Sequence, residues 1–156
     1  MANYTAADIK NLREETGAGM MDCKKALEES NGDMEKAREW VRQRGLAKAE
    51  KKADRETKEG YIASYVHNTG KVAAMVEILC ETDFVARNPE FQEMARNVAM
   101  QVASMNPATV EELLAQDFIR GDQTIEELVK GLSGKIGEKF VVSRFVRYEV
   151  GEEIAE

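Results

Sequence analysis

The sequence predicts an α+β fold: a three-helix bundle, then a small antiparallel sheet packed with helices. Three observations predict it. The first 45 residues carry three short apolar stripes at helical spacing, each followed by a glycine-containing stop. Two strand-like runs, GYIASYVH and KVAAMVEILC, flank Asn68-Thr69-Gly70 and read as a hairpin. After Pro89 a long stripe of period 3.6 appears, and a last strand-like run, FVVSRFVRYEV, closes the pattern.

The elements follow in order. Thr5-Ala6-Ala7-Asp8 fits a helix-capping pattern, with Ile9 and Leu12 on one face of the helix it opens. Gly17-Ala18-Gly19 stops it. Met20, Cys23, Ala26 and Leu27 mark the second stripe, and Ser30-Asn31-Gly32 ends that helix. Asp33 can cap a third, with Ala37, Trp40 and Val41 inward and Gly45 as its stop. A core this thin should lean heavily on Trp40. Residues 1–45 are therefore one unit. Residues 46–59 contain KAEKKADRETKE, a mixed-sign run that reads as a solvated helical connector and a boundary. Residues 60–156 form the α+β core.

In that core Val72, Ala74, Val76 and Ile78 alternate onto one sheet face. Phe91, Met94, Ala95, Val98, Val102 and Met105 predict an amphipathic helix packed against it, ended by Asn106-Pro107. A shorter helix, TIEELVKGLSGKIG, follows. The last strand places Phe140, Val142, Val146 and Tyr148 on one face, with Val141 and Phe145 on the other.

Composition narrows the function. The chain has 156 residues, 43% apolar and 33% charged, enough for an apolar core. No apolar run reaches the ~18 residues of a membrane span, and the start lacks a signal pattern, so nothing argues for export. A net charge of -7 disfavours gripping a phosphate backbone and favours protein partners. Cys23 and Cys80 offer neither a metal spacing nor a disulfide framework, and read as small buried groups in a reducing cytosol. GLSGKIGEKF lacks the glycine spacing and the Ser or Thr of a phosphate-binding loop, and reads as a helix stop and turn. No Ser/His/acid order or singled-out carboxylate pair suggests an active site, and neither a cofactor nor a metal is called for. His67, the single histidine, is a turn residue at the hairpin tip or a surface contact there.

Two stretches suit a protein contact. Helical spacing cannot send both Met20 and Met21 into one small core, so one is core and the other is free for a partner. ETDFVARNPEF puts an acid beside a phenylalanine at a strand-to-helix turn. Phe84 is then a core aromatic and Asp83 a helix cap, or the two form a projecting acid-and-ring tip.

TGAGMMDCKKALEESNGDMEKA, ETDFVARN and KIGEKFVVSRFVRYEVGE together resemble the bacterial translation elongation factor Ts family, in the right order along nearly the whole chain. The resemblance implies a cytoplasmic guanine-nucleotide exchange factor for elongation factor Tu, with an N-terminal bundle of ubiquitin-associated type. It implies that Asp83 and Phe84, completed by Thr82 and Val85, enter between two helices of the GTPase and shift the groups that hold Mg²⁺ and phosphate. It further implies that Leu12, Met20 and Met21 touch the same GTPase domain and that His67 belongs to another contact surface. The chain has one core half where long members have two. After Asn106-Pro107 only ATVEELLA precedes QDFIRGDQT, where members carry a longer helical insertion. The short branch of the family pairs two chains through their sheets, so a homodimer is expected, with neither nucleic acid nor membrane as a partner. Two rival readings are a non-exchanging interaction module, whose residues 1–45 would bind alone, and an enzyme using His67.

Overall fold

In a computed structural model, which describes residues 2–153, Thr5 and Asp8 close the predicted capping box and start α1 (Ala6–Thr16). Gly17 ends α1 with φ 71°, a left-handed conformation natural to glycine. The helices α2 (Met20–Glu29) and α3 (Met34–Glu50) complete the bundle, the latter capped by Asp33. Leu12, Cys23, Ala26, Leu27 and Ala37 form its fully buried core, with Trp40 and Val41 packed on the edge.

The third helix does not stop at Gly45. It runs on to Glu50, and turns at 51–54 lead toward β1 (Glu59–Val66). The connector is therefore helical only in its first residues, and it is not wholly solvated: Lys52 is buried and its Nζ donates to the Ser133 carbonyl at 3.3 Å. Gly45 serves contact rather than termination. It faces Gly134 of α7 (Ile125–Ile136), and a Cβ on Gly134 would collide with the Gly45 carbonyl. Gly131 and Gly134 thus lie inside α7, and Gly137, at φ 94°, is the stop.

The sheet is an antiparallel meander in order β1-β2-β3, built from β1, β2 (Val72–Cys80) and β3 (Val141–Glu149). Its covered face meets α5 (Pro89–Met105), whose start is capped by Asn88 and whose end is Asn106 in a left-handed conformation. Phe91, Met94, Ala95, Val98 and Val102 are buried as the period requires, while Met105 at the end is exposed. Phe91 and Phe140 meet edge-to-face with centroids 4.8 Å apart. A short helix, α6 (Val110–Ala115), carries the chain on toward α7, and buried Gln101 fixes the loop between them through Gln116, Asp117 and Ile119.

The expected facing of β3 holds only in its first half. Glu77 pairs with Arg144 but Ile78 pairs with Val142, so Ser143 is an extra residue, a bulge that reverses the alternation. Phe145 therefore turns inward opposite Val76, and Arg147 follows it to donate to the Ala103 carbonyl at 3.0 Å. Val146 and Tyr148 turn outward, onto the opposite sheet face from Val142. That outer face also exposes Ile62, Val66 and Met75. The expected core unit, residues 60–156, extends at its end to 154–156, which lie outside the described residues.

Candidate functional site

The turn after β2 is built by two N-caps in succession. Thr82 is the N-cap of α4 (Asp83–Ala86), its Oγ1 accepting from the Val85 amide at 3.3 Å. Asp83 is thus the first helical residue, not the cap. Its carboxylate accepts from Arg87 Nη2 at 3.0 Å in an exposed pair, worth little in water. Asn88 then caps α5, its Oδ1 accepting from the Glu90 and Phe91 amides.

Successive residues of a helix point about 100° apart, so one turn cannot bury all of its side chains on one side. Val85 and Ala86 are buried against the sheet, which leaves Phe84 pointing away, 86% exposed. The core-aromatic alternative for Phe84 is therefore removed. Leaving that ring in water forgoes roughly 2–3 kcal/mol of burial.

The turn is clamped from the residues before β3. The Glu138 carboxylate accepts from the Glu81 amide at 3.0 Å, the Thr82 amide at 3.1 Å and the Thr82 hydroxyl at 2.7 Å. Glu81 answers by accepting from the Lys139 amide at 2.7 Å and from Arg55 at 3.3 Å. Burial, aided by the nearby Glu138 charge, pushes the Cys80 thiol up to about 11, so this cysteine stays protonated and unreactive at neutral pH.

Met20 and Met21 open α2 behind the Gly19 N-cap, 58% and 73% exposed. The expectation that one is core fails. The buried stripe of this ten-residue helix begins only at Cys23, one turn later, so neither methionine has a core to enter. Leu12 is fully buried in one cluster with Cys23 and Leu27, so it supports the surface that Met20 and Met21 present.

The loop before α2 is linked through α7 to the start of α5. Gly17 sits against the Lys135 side chain, and Lys135 pairs at 2.7 Å with Glu90, in the first turn of α5. A cleft of about 400 Å³ runs between α3 and α7 here, and its Lys48 and Lys135 are already paired with Asp22 and Glu90. His67 lies apart. It is exposed at the hairpin tip, its Nδ1 accepting from the Thr69 amide at 3.2 Å, and β2 separates it from the turn by roughly 27 Å. Among the described residues no group of three or more His, Cys, Asp or Glu could hold a metal ion, and no helix is long and apolar enough to cross a membrane.

Glu138 escapes sequence reasoning because its partners are 56 and 57 positions away. The signal that could have marked it is the offset symmetry of two acids, Glu81 and Glu138, each just outside the end of a strand.

The family described as Elongation factor TS matches residues 81–156, which begin at this turn. Elongation factor Ts of Nitratidesulfovibrio vulgaris is 45% identical, covering 97% of this chain and 98% of its own. The proteins of that name from Oleidesulfovibrio alaskensis and Moorella thermoacetica are 44% and 42% identical, over 97% of this chain and 100% and 97% of theirs. The first alignment spans 197 positions against 156 residues, so that relative carries residues this chain lacks. Similarity of this depth over nearly the full length of both partners has one reading: the chain belongs to the elongation factor Ts family.

Proposed function

We infer that the protein is the guanine-nucleotide exchange factor for elongation factor Tu, and that it works by prying with the tip formed by Asp83 and Phe84. Family membership supports the exchange role, and with it a protein that performs no covalent chemistry of its own. The observation that carries the tip is the exposure of Phe84 on a turn whose two following residues are buried.

The mechanism is differential binding. GDP with Mg²⁺ and the exchange factor favour different arrangements of one GTPase, so each weakens the other by the same factor. Speeding GDP release by ~10³ to 10⁵ requires roughly 4–7 kcal/mol of preference for the opened arrangement. Burial of one phenylalanine supplies ~2–3 kcal/mol. The tip therefore needs a wider interface, and exposed Met20 and Met21 offer further apolar area for it. Thr82 and Val85 set the turn beneath the tip, Asp83 brings charge toward the metal-binding groups, and His67 belongs to a separate contact.

The bundle of residues 1–45 is read as a ubiquitin-associated-like module and residues 60–156 as the core that pairs. Ile62, Val66, Met75, Val146 and Tyr148 form the apolar face through which two chains would join as a homodimer in the cytoplasm, without nucleic acid. The test is direct. Elongation factor Tu loaded with fluorescent GDP should lose its signal faster when the purified chain is added; an unchanged decay contradicts the exchange role.

A further inference from the structure

We infer that Glu138 is the positioning residue that holds Phe84 in its presenting attitude; the inference rests on the reading of Phe84 as the prying tip. The backbone ladder between β2 and β3 ends at the Leu79–Val141 pair. Beyond it the chain must turn sharply, and the Glu81 and Thr82 amides have no strand partner. One carboxylate takes both, together with the Thr82 hydroxyl. Side chains thus continue the sheet where its backbone pairing has run out.

The contact reaches the tip through one hydroxyl. Thr82 Oγ1 donates to Glu138 while accepting from the Val85 amide, the first turn of α4. Glu138 therefore fixes the rotamer of the residue that caps the tip helix. Phe84 lies between two held points, the Thr82 cap on one side and buried Val85 on the other. With the cap released, a four-residue helix has too few internal hydrogen bonds to persist, and the ring direction is no longer set.

The connector joins the same clamp. Arg55 Nη1 donates to the Gly137 carbonyl at 3.1 Å and to Glu81 at 3.3 Å, and Lys139 Nζ donates to the Ala53 carbonyl at 2.5 Å. Gly137 and Lys139, on either side of Glu138, and its partner Glu81 are thereby tied to a second element, which is how a partly exposed carboxylate can stay in one place.

The experiment is a double-mutant cycle on stimulated GDP release, read as maximal rate and as the factor concentration giving half that rate. Glu138→Ala should lower the maximal rate about tenfold with less than about twofold change in the half-maximal concentration. Glu138→Gln should recover most of the rate, because its amide oxygen still accepts from both backbone amides and its NH2 can donate to the Thr82 hydroxyl oxygen, keeping the cap rotamer. In a Phe84→Ala background, Glu138→Ala should change nothing further. Amide hydrogen exchange should quicken at Glu81 and Thr82 while α5 stays protected. Should Glu138→Ala fail to fold, Thr82→Val tests the same hydroxyl relay and should slow release with α5 protected. Wild-type release in Glu138→Ala, or in Thr82→Val where that variant stands in, overturns the proposal, as does a loss that multiplies with that of Phe84→Ala. A silent Phe84→Ala instead removes the tip itself, and the proposal with it.

Discussion

The bundle and the sheet–helix unit each expose apolar side chains, but they stand on very different foundations. Five small or medium residues make up the fully buried core of the bundle. The other unit packs the covered sheet face against α5, with α7 against α5 in turn, through Phe91, Ile78, Val98, Ile125 and many more. Phe84 stands on the thick core, one residue from buried Val85, whereas Met20 and Met21 stand at the end of a ten-residue helix on the thin one. Under the proposed function, the contrast is a division of labour. A side chain that must displace groups in a partner gains from a rigid base, because nothing is then lost in ordering it on contact. Flexible thioethers, which adapt to what they meet, tolerate a softer one.

Substitutions can sharpen or break this contrast. Phe91→Ala should cost most, about 3–5 kcal/mol of unfolding free energy in denaturant titration, since it empties the centre of the thick core and strips Phe140 of its partner. Leu12→Ala should cost less, about 2–3 kcal/mol, because a thin core collapses around the space. Equal costs would erase the distinction. On the outer sheet face Tyr148→Lys should change stability by less than about 0.5 kcal/mol, yet shift a dimeric mass to a monomeric one in light scattering. A monomeric wild type at micromolar concentration would remove the pairing.

Much of this arrangement was legible in the sequence, and its failures have physical causes. The stripe of α5 was readable because one helix lies along one sheet face, so burial follows its period over 17 residues. Thr5 and Asp33 announced their helices because caps act within three residues. The facing of β3 was lost at Ser143, since a bulge is a property of paired strands and leaves no mark on one of them. Gly45 looked like a stop because local sequence cannot tell a glycine that ends a helix from one that lets Gly134 approach. The turn at Thr82–Val85 was identified, but whether Phe84 points in or out depends on how Val85 and Ala86 meet the sheet. Glu138 was invisible for a related reason: its hydrogen bonds exist only once β3 lies beside β2.

The central claim is that an exposed ring on a clamped turn does the prying. Its most direct measurement is stimulated GDP release from elongation factor Tu by Phe84→Ala, run beside a thermal unfolding scan of the same variant. The account predicts a fall in release of at least about tenfold, the loss of ~2–3 kcal/mol of contact being more than sufficient, with the unfolding midpoint nearly unchanged because Phe84 is exposed. Release at the wild-type rate from a fully folded Phe84→Ala chain would contradict it.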